Sequence, residues 1–513
     1  MTSFTTHHSL FTDHYSLTIA IMKNIISCLT AILLITSTAC EDFLEKEPLG
    51  NLEADSFFQT EDDALLATNA VYNAYRAWFV TGGFPIADIM SDDMVKGSAP
   101  QDGAGLNLID NFTFAPSEGA FSNIWSALFE GVRTANAAIE NVPDIEMDEA
   151  LKSRLLAEAR FLRAAFYFDL ARSYGDLPKV LTADPERQLT RSPVAEVYNE
   201  IIIPDLEFAI DNLPPSSGYD EAQQGRATQG AAQGLLAKVS LYREDFARAQ
   251  EVAEAVINSG EYELPADFAE EFSPTIAFGP GAIFEIGALR DDFDNGGNQY
   301  GQTQGVRGSV LVGEQSISKG WGFGRPTVDI INFYADDDPR MDASVIFLGD
   351  TISGEVIIGD EGTPDTTYTD DGEIAQLETY NQKVFMPGVD ENPQWGYNRK
   401  VLRYADVLLI AAEAANENGN VEAALQYLNQ VHTRAMGEAI EETDPAALRQ
   451  LIYDERRAEL AFEGERFYDL VRTGRAAEVL GPLGFEAGKH ELFPIPQSEI
   501  DITEGGITQN PGY

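Results

Sequence analysis

Apolar residues recur three and four positions apart along most of this chain, a spacing that predicts amphipathic helices. In residues 227–260, Leu235, Leu236, Val239, Leu241 and Tyr242 precede a polar Glu244-Asp245 turn; Phe246, Ala249, Val252, Ala253 and Val256 follow it. Residues 403–436 repeat the design, with Leu408, Leu409, Ala412 and Ala415 before Asn418-Gly419-Asn420 and Val421, Ala424, Leu425 and Leu428 after it. Alanine at helix contacts lets backbones approach closely, as in stacked tetratricopeptide-like hairpins. Further helices are expected over about 60–79, 121–142, 153–175 and 193–214, so antiparallel pairs would build most of the chain.

Between about 270 and 400 the texture changes. Residues 279–326 hold twelve of the 43 glycines, which marks turns and close backbone approaches. AIFEIGAL, 282–289, alternates like a short strand. The expected fold is therefore mostly α: a tetratricopeptide-like helical-hairpin scaffold over about 40–270 and 400–480, with a loop-rich, short-strand section over about 270–400. Loops on a rigid scaffold are where binding residues usually lie, so this section is the expected binding subdomain.

The N-terminus reads differently. Lys23, the apolar run 25–35 and the small residues Ser37, Thr38 and Ala39 have the form of a secretory signal over 1–39, with Met22 as the expected true start. A transmembrane anchor over 19–39 is the alternative, weakened by Lys23, Asn24 and several hydroxyls. Cys40 follows Ala39 directly, as in the lipobox of bacterial lipoproteins, although Ser37 stands where leucine is common. Acylation there would tether the chain, since two or more acyl chains anchor stably. Cys28 lies inside the signal, so the processed chain would have no second thiol for a disulfide or cysteine metal site.

Charge and histidine content narrow the chemistry. Eighty-four acidic and 34 basic residues give a net charge of −50, which repels nucleic acid. Three of the five histidines, His7, His8 and His14, lie in the leader. Only His432 and His490 remain for a zinc site or a Ser-His-Asp triad, and His432 sits on an expected helix, where a packing or surface role is favoured. No HExxH, GxSxG or phosphate-loop pattern appears. Carboxylate pairs for glycoside hydrolysis arise by chance in so acidic a chain.

Arg449, Arg456, Arg457, Arg466, Arg472 and Arg475 crowd into residues 448–475. An anion site is one reading. A helix laced by Asp454–Arg457, Arg456–Glu459, Arg466–Asp469 and Asp469–Arg472 pairs is the favoured one, because acids nearly balance the arginines. Within it, ERRAELAFEGERFYDLVRTGR resembles the C-terminal signature of the SusD/RagB family of starch-utilisation-type lipoproteins. CEDFLEKEPLG, ARFLRAAFYFDLARSYGDLP, GWGFGRPTVDIINFYADDDPR, RYADVLLIAAEA and the ending FPIPQSEIDITEGGITQNPGY fit the family in order, so the resemblance spans almost all of 40–513. It implies an outer-membrane, surface-exposed lipoprotein that binds oligosaccharide. It also implies a SusC-type TonB-dependent transporter as partner, over which the lipoprotein sits as a lid, with no enzyme chemistry and no cofactor.

A sugar ring offers an apolar face to aromatic platforms and a hydroxyl rim to carboxylates, amides and arginine. Asp92, Asp93, Asn298, Tyr300, Trp321 and Arg325 are the candidates for that chemistry, with packing an equal role for Trp321. DDFDNGGN, 291–298, and TDDGE, 369–373, are fragments of calcium loops without the full spacing, so no metal is expected. A surface glycoside hydrolase, a binder of another nutrient and a purely structural repeat adaptor stand as rival functions.

Overall fold

Among the described residues, nine long helices follow one another in space as they do in sequence. They are α1 Glu61–Thr81, α2 Gly119–Asn141, α3 Glu149–Tyr174, α4 Ile203–Asn212, α5 Gln229–Tyr242, α6 Phe246–Ser259, α7 Tyr404–Glu417, α8 Val421–Met436 and α9 Pro445–Leu460, and a shorter α10 covers Arg466–Arg472. The computed structural model describes residues 57–81 (78–81 by backbone only), 85–185, 188–289, 299–360, 362, 364–369, 371–387 and 396–513. Residues 60–513 form one compact unit. The expected signal and Cys40 lie outside the described residues.

Several of these helices start where the sequence supplies a cap. Asp148 accepts from the Leu151 N–H, Thr228 from Ala231, Asp245 from Arg248 and Asn420 from Ala423. α1 packs on α2, α2 on α3, α3 on α4 and α4 on α5; the hairpins α5–α6 and α7–α8 then meet through α6 and α7. Such neighbour-to-neighbour stacking is the repeat architecture that the alanine pattern predicts. Small residues permit it: a Cβ on Gly131 of α2 would stand 2.2 Å from the Phe166 ring of α3. α7 is buried from Tyr404 through Asn416, as a helix apolar on all sides must be. The expected helix at 193–214 opens on Val194–Val197 and takes a π turn at Tyr198–Ile202 just before Pro204, whose missing N–H cannot serve a regular turn.

The 448–475 segment departs from its expected form. It breaks between α9 and α10, where Phe462 and Gly464 take positive φ of 67° and 87°. Of the four ion pairs expected along it, Asp469–Arg472 forms, at 2.7 Å, while Arg456, Arg457 and Arg466 take partners beyond the helix each sits on. Arg456 pairs with Asp406 and Asp469, Arg457 with Asp92, Asp93 and Asp329, and Arg466 with Asp92. Glu459 collects Arg403, Arg434 and Arg340. The break turns the arginine faces of α9 and α10 inward, so the segment ties the scaffold to the loop-rich section.

That section carries short strands: β1 Met94–Gly97, β2 Ala282–Ile286, β3 Ser309–Val312, β4 Gln315–Ile317, β5 Phe323–Pro326, β6 Val345–Phe347, β7 Thr351–Ile352, β8 Glu355–Gly359, β9 Thr366–Tyr368, β10 Ile374–Leu377, β11 Thr379–Asn381 and β12 Arg399–Arg403. They form small antiparallel sheets, β1–β5, β2–β12, β6–β11, β9–β10 and the four-stranded β4-β3-β8-β7. The strand expected over 282–289 ends at Ile286. Val306, Val310, Ile346, Ile357, Tyr380 and Phe385 form a separate apolar cluster beneath these sheets.

Candidate loop-face site

The β1–β5 pairing decides what meets on the loop face. Val95 opposes Arg325 and Gly97 opposes Phe323. The register brings residues 98–102 against 320–322, where the Ser98 N–H donates to the Gly322 carbonyl at 2.6 Å. Gly97 is required here: φ is +68°, and a Cβ would stand 2.4 Å from that carbonyl oxygen. Trp321 precedes the contact and remains 38% exposed. Its backbone N–H is held by the Gln302 carbonyl at 2.9 Å, so the indole stands on a fixed base.

Beside it lies Arg307, which ion-pairs with Asp102 and, at 2.6 Å, with Asp360, and donates to Ser98 Oγ at 2.5 Å. A Cβ on Gly322 would stand 2.9 Å from Arg307 Cβ, which places the guanidinium stem directly against the residue after Trp321. The hydrogen bond from Arg307 holds the Asp102 carboxyl below the usual carboxylate range, and the same bond raises the guanidinium. The Tyr380 hydroxyl donates to the Arg307 carbonyl at 3.2 Å. An exposed indole, one residue from the glycine that packs against a fixed cation with two carboxylates, is an arrangement that binds polyols: a stacking face near donors and acceptors.

The candidates drawn from sequence separate into different environments. Asp92 and Asp93 are buried rather than presented. Arg466 grips Asp92 with two bonds of 2.8 and 2.7 Å, and Arg457 donates to Asp93 at 2.8 Å. Burial raises the Asp92 carboxyl, but the Arg466 bonds and the Arg466 and Arg457 charges outweigh it and hold the group low. Burial prevails at Asp93, which is raised. Both anchor β1 to α9 and α10. Tyr300 opens the short helix Tyr300–Gln304 instead of riding in a loop, and it is buried. It stacks on Tyr397 with ring centroids 6.1 Å apart and carries the Arg399 guanidinium 4.1 Å from its centre. Arg325 is buried with its guanidinium 5.2 Å from the centre of the Tyr380 ring. Asn298 lies outside the described residues, as do 291–297. Trp321 alone of the described candidates reaches solvent as a platform would.

Arg307, Asp102 and Asp360 were not singled out from sequence. They stand some 50 to 260 positions apart in an acid-rich chain, and only the strand register makes them neighbours. In the TDDGE turn, Thr369 Oγ1 donates to Asp371 and accepts from the Glu373 N–H, so the turn closes on its own hydrogen bonds. Among the described residues no group of three or more histidine, cysteine or acidic side chains converges as metal ligands.

Known proteins extend the picture. A model of the SusD family matches residues 280–484. A second model, described as starch-binding and associating with the outer membrane, matches 42–241. The chain is 30% identical to SusD-like protein P2 of Formosa agariphila over 518 residues, covering 94% of this chain and 98% of that protein. A SusD-like protein of Bacteroides ovatus is 28% identical, covering 84% and 79%. Among solved structures, a laminarin binding SusD-like protein superposes with a TM-score of 0.75 at 28% identity, over 89% of this chain and all of the other. Surface glycan-binding protein A from Bacteroides fluxus gives 0.72 at 26% identity, with the same coverage.

Proposed function

The chain belongs to the SusD family, and from that premise we propose that it is a cell-surface lipoprotein, anchored through Cys40, that binds an oligosaccharide and delivers it to a SusC-type TonB-dependent transporter, closing over the transporter as a lid. The observation that carries the binding part is the exposed Trp321 beside the Arg307–Asp102–Asp360 cluster. The indole stacks on a pyranose face, and the cluster hydrogen-bonds the hydroxyl rim. Asn298 is retained as a rim contact. Asp92, Asp93, Tyr300 and Arg325 serve beneath the site, holding the strand and helix that present it.

Binding without turnover fits the same residues. A glycosidase needs a carboxyl with a raised pKa as its general acid. Asp102 is held low, and Arg307 occupies both it and Asp360. The relatives named for laminarin and for surface glycans support an oligosaccharide as cargo. A glycan array probed with the purified chain and with Trp321→Ala tests the proposal. Binding to at least one glycan, weakened several-fold in the variant and unaccompanied by sugar release, is expected. A parent that binds no glycan overturns the cargo, and released sugar overturns the non-catalytic role. Co-purification with an outer-membrane barrel protein from the native envelope tests the transporter; its absence overturns the lid.

A further inference from the structure

A second groove lies on the helical scaffold. Two adjoining basins of about 360 and 230 Å³ share Gln224, Gly225, Arg226 and Phe278 in their walls. The larger is bounded on one side by the outer turns of α1, at Asn69, Tyr72 and Asn73. Its wall contains no carboxylate, although acids outnumber bases 84 to 34 in the chain. Amides, aromatic rings and two arginines, Arg76 and Arg226, stand there instead. The larger basin falls within the range of about 300–1,000 Å³ typical of small-ligand clefts.

The aromatic centre of the groove is built with care. Phe278 has a positive φ of 52°, a conformation that a bulky residue adopts only when its surroundings impose it. Its N–H donates to Glu285 Oε1 at 3.2 Å, which fixes the backbone. Its ring rests against two glycines: a Cβ on Gly225 would stand 2.8 Å from the ring, and one on Gly287 3.1 Å. The half-buried ring is therefore backed by bare peptide. Arg226 is already engaged by Glu158 at 2.7 Å and Asn69 at 3.0 Å, so it presents no excess charge. Asn69, Asn73 and Gln224 are exposed around the ring.

We propose that this groove is a second carbohydrate site, distinct from the loop face, in which Phe278 stacks on a neutral sugar ring while Asn69, Asn73 and Gln224 bind its hydroxyls. A neutral polyol fits because the larger basin offers donors, acceptors and an apolar face with no carboxylate and with both its arginines already engaged, Arg226 by Glu158 and Asn69 and Arg76 by Asn73, whereas the rest of the surface is rich in carboxylate. The proposal rests on the glycan-binding reading for its ligand class.

Titration calorimetry of the purified chain with neutral hexasaccharides (laminari-, malto-, cello- and xylohexaose) tests it. At least one is expected to occupy two sites per chain. Phe278→Ala removes one of them, and the double variant Asn73→Ala with Gln224→Ala, both exposed and so harmless to folding, weakens that same site about tenfold. Trp321→Ala weakens the other several-fold to tenfold. One site per chain, weakened by Trp321→Ala and indifferent to the groove variants, overturns the second groove and leaves the loop-face site standing. Two sites that both survive the groove variants also overturn it. No binding by any of the four overturns both sites for neutral glycans.

Discussion

Arg456 donates to Asp406 Oδ1 at 2.8 Å, joining α9 to the buried helix α7 across fifty positions of chain. Lys238 of α5 holds the other oxygen of Asp406, also at 2.8 Å. From Arg456 the chain of charges continues through Asp469 to Arg472 and Glu413. All six groups are buried or nearly so, hence each carboxylate depends on its cations.

Removing one partner should therefore damage the scaffold. Asp406→Ala leaves Lys238 and Arg456 facing each other in a low-dielectric interior and should destabilise the protein by about 3–5 kcal/mol. Urea denaturation of the variant reads this directly. Burial raises the Asp406 carboxyl, but Lys238 and Arg456 prevail and depress it, so its contribution is present above the ordinary carboxylate range and lost as pH falls through its lower folded value.

His490 should shape stability in mild acid. Its ring lies among Phe112, Phe114 and Phe485, with centroids 5.2–5.8 Å away, and accepts the Glu486 N–H on Nδ1. Burial pushes its pKa down to about 4. The unfolded chain takes up a proton near pH 6.5 that the fold refuses until about 4, so stability falls as pH drops through that window. Melting temperature measured from pH 7.5 to 4 should decline less steeply in His490→Gln than in the parent. Equal slopes would remove His490 from the account.

Asp88 acts in the opposite sense. Burial raises its carboxyl to about 7, against the pull of Arg399 and the Gly464 N–H, which donates to Oδ1 at 2.9 Å. Oδ2 has no hydrogen-bond partner. A raised carboxyl stabilises the fold while protonated, and that stability is lost as pH rises from the unfolded value of 3.8 through about 7. Asp88→Asn keeps the Gly464 bond and cannot ionise. It should melt above the parent at pH 8 and no higher at pH 5; a lower melting point at pH 8 would contradict this.

Trp321→Ala should separate binding from folding. The indole is 38% exposed, so the melting curve should move little. Lost stacking, on the order of 1 kcal/mol beyond area burial, should weaken oligosaccharide affinity several-fold to tenfold by calorimetry. Tyr300→Ala, by contrast, empties a buried ring stacked on Tyr397 and should lower the melting temperature first.

Cys40→Ala should leave a folded chain that no longer sediments with membranes, because acylation supplies the anchoring energy. Fractionation after a high-salt wash decides it. A variant still in the membrane fraction would favour an anchor within 19–39.

The helical scaffold was legible because helix period and caps are local. Leu408, Leu409 and Ala412 fall on the period that buries α7, and Asp245 and Asn420 mark helix starts within three residues of the N–H groups they cap. The family motifs in 448–475 were equally plain, since they are contiguous strings. The partners of their arginines were not. Spacing of three on a helix suggested Asp454 for Arg457, whereas the break at Phe462 and Gly464 sends Arg457 to Asp92, Asp93 and Asp329. The same contact took Asp92 and Asp93 out of the presented surface, because a buried carboxylate must find a cation wherever the chain brings one. The loop-face site was decided likewise by the register of β1 on β5, which sets Trp321 beside Ser98 and Arg307. Sequence alone determined which segments are helices and which family motifs they carry, since those signals lie within a few turns of chain. Tertiary structure decided which charges are spent inside and which side chains face a ligand, since burial and pairing depend on residues tens to hundreds of positions away.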